Sequence, residues 1–139
     1  MTASKKKRGK GGGRRARGRK KLREIHGTRG EAVMAMLAKT VPDLSRYTEE
    51  FVFGDVYSRK GLTLRERQLA TVACLVALGH AQPQLRWHIH GALNVGCHRA
   101  EILEVIIQLA IYAGFPAAIN AALSARDVFK ERDAEGLKN

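Results

Sequence analysis

Residues 85–96 of the chain read Leu85-Arg86-Trp87-His88-Ile89-His90-Gly91-Ala92-Leu93-Asn94-Val95-Gly96. Apolar side chains recur along this stretch at the spacing of an α-helix, which predicts one apolar face and one polar face. His88 shares the apolar face with Leu85, whereas His90 shares the polar face with Arg86. An imidazole in an apolar layer needs a hydrogen-bond partner or a chemical role. His88 is therefore the centre of the predicted site.

The rest of the chain shows helix patterns and no convincing strand pattern. Thr63-Leu64-Arg65-Glu66 predicts a capping box at the start of a helix that runs to about Leu78. Further helices are predicted at Glu31–Lys39, from an Asp43 cap to about Arg59, from His98 to Tyr112, and from Ala117 to about Arg132. Two of these helices are apolar on nearly all sides, which is typical of an oligomer. We predict an all-α, oligomeric domain of about six helices.

The positive charge of the chain is concentrated at its N-terminus. Residues 1–23 carry 12 of the 25 basic residues and no acidic one, which leaves 13 basic residues against the 13 acidic ones. A segment with so few apolar residues cannot offset its ordering entropy by burial. We predict a disordered arm over residues 1–27 and one helical domain over residues 28–139. Such an arm would bind nucleic acid or another polyanion by counterion release, and the residues assigned to this contact are Arg14, Arg15, Arg17, Arg19, Lys20 and Lys21.

The sequence predicts a cytoplasmic protein without a membrane partner. Its longest apolar runs are too short to span a bilayer, and residues 1–23 lack the apolar segment of a secretory signal. His88 and His90 point about 200° apart on one helix and cannot chelate one ion, so no metal site is predicted.

The two cysteines form neither a CxxC pair nor a disulfide framework. Cys74 lies in an apolar run and is predicted to be a packed core thiol. Cys97 follows Gly96 at a helix junction, where either a plain junction residue or a reactive thiol fits the pattern.

Five blocks of the sequence together identify a family. They are Phe53–Leu62, the arginine-bearing start of the next helix, Leu85–Gly96, Glu101–Gln108 and Tyr112–Asn120. In this order and spacing they resemble the carboxymuconolactone decarboxylase family, over about residues 30–132. The resemblance implies an all-helical fold shared with alkyl hydroperoxidase D, assembled as a homotrimer or homohexamer.

The resemblance also implies cofactor-free decarboxylation of a small carboxylated lactone from aromatic-acid breakdown. This chemistry needs cations that hold the substrate carboxylates and one acid/base group. His88 is expected to be the acid/base, assisted by Glu66. Arg59 and Arg67 are expected to bind the substrate, because a guanidinium pairs bidentately with a carboxylate; His90 is the third candidate.

Each candidate also has a structural interpretation. His88 fits a hydrogen-bonded core histidine, and Glu66 already has a task in the capping box. Arg59 and Arg67 fit surface charges at helix ends, and His90 fits a solvated side chain on a polar face.

Two alternative functions stay open. The peroxidase branch of the fold uses a Glu, a CxxC pair and a His, but the corresponding turn here reads His80-Ala81-Gln82-Pro83. A peroxiredoxin-type antioxidant activity would therefore depend on Cys97. The other alternative is a non-enzymatic helical oligomer that binds nucleic acid through its basic arm.

Overall fold

The computed structural model describes residues 11–137, which form helices and turns but no strand. The helices in this range are α1 (Gly11–Thr40), α2 (Pro42–Tyr47), a π-helix (Thr48–Val56), α3 (Leu64–Leu78), α4 (Gln82–Asn94), α5 (Arg99–Tyr112) and α6 (Phe115–Ala134). The predicted all-α class is confirmed. The chain divides between Lys60 and Gly61 into two compact units.

The N-terminal unit is built on α1, which packs against α2 and the π-helix. α1 is kinked at Gly27, where φ is 57° and ψ is −149°. Glycine adopts this conformation readily because it has no Cβ. Leu22 and Ile25 of α1 and Phe53 of the π-helix are fully buried and supply apolar contacts in this unit.

The structure differs from the predicted disordered arm. Residues 11–27 are helical and belong to the packed N-terminal unit, so the prediction of disorder is wrong for them. The physical reason is that α1 carries the buried Leu22 and Ile25 and that carboxylates of the π-helix pair with its arginines. Residues 1–10 lie outside the described residues. The predicted boundary at residues 27 and 28 falls at the kink inside α1.

Two glycines let α1 approach the π-helix closely. A Cβ placed on Gly18 would lie 1.7 Å from the carbonyl oxygen of Glu49, and one on Gly54 would lie 2.6 Å from the carbonyl oxygen of Arg14. No real Cβ tolerates such distances. The two glycines therefore bring the backbones of α1 and the π-helix into direct contact, beside the side-chain ion pairs that also join them.

The segment after α1 begins differently from the prediction. Asp43 is not a cap: the N-cap of α2 is Val41, Pro42 opens the helix, and the Asp43 carboxylate instead accepts a hydrogen bond from Arg46 at 2.9 Å. Proline suits the first position of a helix because its missing N–H is not needed there. The π-helix that follows ends at Val56 rather than near Arg59.

The C-terminal unit contains α3 to α6. α4 packs against both α3 and α6, and α5 packs against the same two helices. The core of this unit is formed by apolar side chains from all four helices, among them Val72, Val76, Leu85, Ile89, Leu93, Ile102, Ile106, Ala121, Ala125 and Val128. Because α4 is covered from two directions, neither of its faces is turned fully to solvent.

Two helix starts confirm the sequence patterns. The Thr63 hydroxyl accepts from the Glu66 N–H, and the Glu66 carboxylate accepts from the Thr63 N–H, which completes the predicted capping box. At α5 the Glu101 carboxylate accepts from the His98 N–H at 2.7 Å. α3 ends at Leu78 and is capped by Gly79, which takes a φ of 74°.

One face of α5 and α6 is apolar and exposed. Ile107, Ile111, Phe115 and Ile119 are each more than half exposed, and they line a groove of about 450 Å³. Patches of this kind mark interaction surfaces in soluble proteins. Among the helices of residues 11–137, none is long and apolar enough to cross a membrane.

Candidate active site

α4 holds its two histidines against different neighbours. The His88 Nδ1–H donates to Oε1 of Gln68 in α3 at 3.0 Å. The His90 Nε2–H donates to Oε2 of Glu131 in α6 at 3.1 Å. The two imidazoles therefore diverge, as the spacing of two residues on a helix predicts. Within the described part of the chain, no group of three or more His, Cys, Asp or Glu side chains could hold a metal ion.

His88 lies in an environment that disfavours its charged form. Burial lowers the pKa of His88 from 6.5 to about 4, because an imidazolium loses its hydration there. The ring of Trp87 meets the imidazole edge-on, with centroids 5.2 Å apart. At neutral pH His88 is a neutral imidazole. Because Nδ1–H is donated to Gln68, the basic lone pair belongs to Nε2.

Gln68 is a site residue that the sequence analysis missed. It is fully buried, its Oε1 accepts from His88, and its Nε2 has no hydrogen-bond partner in the described structure. A signal was available, since Gln68 falls at helical spacing with Val72 and Val76, both of which are buried. One helix has a polar residue on its apolar face, and the next helix has a histidine on its own apolar face. This pattern indicates that the two side chains form a hydrogen bond.

Glu66 is not brought to His88. Its side chain is exposed, and its carboxylate accepts from the N–H and hydroxyl of Thr63 at 2.6 and 2.8 Å. These hydrogen bonds lower the pKa of Glu66. Gln68 faces α4, and a residue two positions away on the helix points about 200° from it. Glu66 therefore serves as a cap on the other side of α3, and it is ionised at neutral pH.

The two candidate arginines lie in different units. Arg67 is half-buried on α3, immediately before Gln68. Arg59 is exposed in the turn after the π-helix, where its N–H donates to the carbonyl of Val56 at 3.2 Å. Arg67 shares α3 with Gln68, but successive residues on a helix point about 100° apart, so the two side chains leave α3 in different directions.

His90 is not the solvated side chain that its polar face predicted. It is only 8% exposed, because α6 covers this face of α4. Glu131 accepts from both His90 and Arg86, and Arg86 also donates to Asp127 at 3.2 Å. The polar face of α4 thus contacts α6 through the ion pairs of Arg86 and the hydrogen bond of His90.

The prediction for Cys74 is wrong, whereas the sequence left both a plain junction residue and a reactive thiol open at Cys97. Cys74 is exposed rather than packed in the core. Cys97 is fully buried, its Sγ–H points to the carbonyl of Arg65 at 3.7 Å, and burial raises the pKa of its thiol. A thiol with a raised pKa is a poor nucleophile. The geometry therefore gives no support to a reactive Cys97.

The arginines assigned to polyanion binding are paired within the N-terminal unit. Arg14 and Arg17 donate to Asp55, and Arg15 and Arg19 donate to Glu49. Lys21 pairs with Glu24 at 2.6 Å, while Lys20 is exposed. Five of these six basic side chains thus share three carboxylates, so this helix surface is partly paired and keeps a net positive charge. Nucleic-acid binding through residues 1–23 stays a prediction.

The sequence has similar proteins of known name. It is 38% identical over 89 residues to the 4-carboxymuconolactone decarboxylase of Acinetobacter baylyi, covering 64% of this chain and 66% of that protein. It is 35% identical to an uncharacterized 15.0 kDa protein of Paracoccus denitrificans, covering 73% and 77%. It is 34% identical to the nitrosuccinic acid decarboxylase of Metarhizium robertsii, covering 53% and 51%. The chain thus spans slightly less than two thirds of the length of the Acinetobacter protein.

A family model agrees with these similarities. The model of the carboxymuconolactone decarboxylase family matches residues 42–127, from the start of α2 into α6. This range contains His88, Gln68 and Arg67, and it covers more than half of the chain. The resemblance inferred from the sequence is confirmed, and the chain belongs to the carboxymuconolactone decarboxylase family.

Proposed function

We propose that the chain decarboxylates a small carboxylated lactone, or a related ring acid, without a cofactor. Two of its named relatives are decarboxylases, and the family supports carboxy-lyase chemistry. The observation that carries the proposal within this chain is the hydrogen bond between the part-buried His88 and the fully buried Gln68. Burial of a titratable group with a dedicated buried partner is typical of a reactive site.

The reaction needs an electron sink and a proton. When the C–C bond to the carboxylate breaks, carbon dioxide leaves and the electron pair enters the lactone carbonyl as an enolate. The ring carbon is then protonated, so one proton is taken up for each carbon dioxide released. A positioned acid/base side chain can supply this proton in the transition state.

His88 can supply it once substrate is bound. In the empty protein its pKa is about 4, so it is neutral. A substrate carboxylate close to the ring raises the pKa of His88, because an opposite charge favours the imidazolium. Nε2 then takes a proton from water and donates it to the ring carbon. Gln68 keeps Nδ1–H engaged throughout, so that proton exchange is confined to Nε2.

The substrate carboxylates need cations. Arg67 is the candidate we retain, since it lies in the same unit as His88 and is half-buried. Arg59 lies in the N-terminal unit, so it is not assigned to this site and its predicted role in substrate binding stays a prediction. His90 is engaged with Glu131, so we assign it to packing of α6 and not to substrate binding.

The test is carbon dioxide release from 4-carboxymuconolactone and nitrosuccinate by purified full-length protein. His88→Asn is expected to lower kcat/KM by about 100-fold or more. His80→Asn is the matched control, because His80 is exposed and its Nδ1–H donates only to the nearby carbonyl of Leu78. Equal activity in the wild type and His88→Asn would refute the assignment of His88.

We further propose that the protein acts in the cytoplasm as a homotrimer or homohexamer. The proposed assembly is supported by the exposed apolar face of α5 and α6, which a second copy would cover. The peroxidase alternative has no support from the buried, weakly acidic thiol of Cys97.

A further inference from the structure

The N-terminal unit contains a cavity of about 250 Å³ that the decarboxylase chemistry does not use. Its lining comes from both segments of α1 on either side of Gly27, and from α2 and the π-helix. The lining residues that matter here are Arg15, Arg19, Leu22, Met34, Ala38 and Glu49. We refer to it as the kink cavity.

One end of the kink cavity is positively charged. Arg15 and Arg19 both donate through Nε to the same carboxylate, that of Glu49, whose side chain is only 5% exposed. One carboxylate balances one of the two guanidinium charges. Glu49 is the sole hydrogen-bond partner of each guanidinium among residues 11–137. Their terminal Nη groups, which are the donors suited to bidentate pairing with an anion, are therefore available.

The other acidic residue of the lining does not cancel this charge. Glu31 accepts a hydrogen bond from Arg23 at 2.8 Å, and the two form an ion pair. Of the remaining lining residues, Leu22 and Met34 are buried, and Ala35 and Ala38 carry only methyl groups. Ser45 is the one further polar residue, and its hydroxyl donates to the carbonyl of Met34 at 3.0 Å. The cavity thus combines a cationic end with an apolar wall.

The two arginines are held in place before any ligand arrives. Gly18 lies between them on α1 and touches the carbonyl of Glu49, so Arg15 and Arg19 flank the contact point. Like charges four residues apart on a helix repel each other in the absence of a shared anion. Glu49 offsets this repulsion and fixes both Nε atoms, which lowers the entropy that a ligand must remove on binding.

We propose that the kink cavity binds a small monocarboxylate with an apolar body. The carboxylate lies against the Nη groups of Arg15 and Arg19 and balances the second positive charge. The apolar body packs on Leu22, Met34 and Ala38. This site is separate from the His88–Gln68 pair and does not depend on the decarboxylation proposed above.

Methionine methyl NMR can test the proposal on the full-length protein. The chain has only three methionines, of which Met34 lines the cavity and Met36 is 64% exposed. With ¹³C-methyl methionine labelling, benzoate is expected to shift the Met34 resonance saturably and to leave Met36 unchanged. Benzamide, which has the same shape without the charge, is expected to shift neither.

Arg19→Gln is expected to weaken benzoate binding by about 10–100-fold, because this is the effect of losing one hydrogen bond to a charged group. Arg19 is the more exposed of the two arginines, so Arg15 and Glu49 remain paired in this variant. His88→Asn is expected to bind benzoate as the wild type does, which separates this site from the proposed activity. A Met34 resonance that does not respond to benzoate, or that responds equally to benzamide or in Arg19→Gln, would overturn the proposal.

Discussion

His88 and Gln68 form a hydrogen bond between two adjacent helices of one unit, Nδ1 to Oε1 at 3.0 Å. This contact fixes which nitrogen of the imidazole carries the proton. It also joins a histidine whose pKa is lowered to about 4 to a fully buried amide. The stability and the proposed activity therefore depend on the same pair.

The first prediction concerns pH and stability. The pKa of His88 is about 4 in the folded chain and 6.5 for an ordinary histidine, so between these values the unfolded chain binds more protons than the folded one. Stability then rises with pH across this window, and lowering the pH from 6.5 to 4 costs about 3 kcal/mol. Urea unfolding at several pH values measures this slope. The slope of the free energy of unfolding against pH should be smaller in His88→Asn and unchanged in His80→Asn. An equal slope in both variants would contradict the prediction.

The second prediction concerns Gln68. In Gln68→Leu the buried Nδ1–H loses its acceptor, which costs about 1–3 kcal/mol in the free energy of unfolding. In Gln68→Glu a carboxylate replaces the amide and is expected to raise the pKa of His88. ¹⁵N NMR of the imidazole reads both the tautomer and the pKa. The wild type should be protonated at Nδ1, and a His88 titration that is identical in wild type and Gln68→Glu would show that the two side chains do not interact.

The third prediction concerns the contact of α1 with the π-helix. A Cβ on Gly18 would lie 1.7 Å from a carbonyl oxygen, so Gly18→Ala must separate the two helices and is expected to destabilise the chain by about 1–3 kcal/mol. Gly13→Ala is the matched control on the same helix, because a Cβ there meets nothing within 4 Å. Gly13→Ala should leave the free energy of unfolding unchanged or raise it slightly, because alanine favours a helix more than glycine does. Similar urea midpoints for the two variants would refute the close contact.

The fourth prediction concerns assembly. Ile111 is 78% exposed on the groove face of α5, and an aspartate there would be buried without a partner in any oligomer that uses this face. Ile111→Asp is expected to shift the protein to a smaller species in analytical ultracentrifugation. Leu137→Asp changes an exposed apolar residue beyond α6 and should leave the mass unchanged. A wild-type monomer, or an Ile111→Asp variant of wild-type mass, would rule out this interface.

The sequence predicts well what local physics determines. The capping box at Thr63 and Glu66 and the helices of the C-terminal unit follow from spacing and from breakers such as Gly79. The opposite directions of His88 and His90 follow from the helical repeat alone. None of these inferences needs information about which helices are neighbours in space.

What the sequence does not predict depends on such neighbours. The α1 arginines look unpaired in a local window, because Glu49 lies 34 residues from Arg15 and Asp55 lies 41 residues from Arg14. His90 looks solvated until α6 is known to cover it. In each case a carboxylate far along the chain accepts a hydrogen bond from an arginine or histidine side chain that looks exposed in the local sequence.

The number of residues between Thr48 and Val56 matters for the structure, although the composition of this segment does not reveal it. Its hydrogen bonds span five residues, as from the Tyr57 N–H to the Val52 carbonyl at 2.8 Å, so Glu49 and Gly54 fall on the same side. Removing one residue between Thr48 and Val56 would restore the ordinary helical repeat and turn Glu49 away from α1. A homologue with such a deletion could retain both arginines and still lack the carboxylate they share, so chain length here is a marker for the kink cavity.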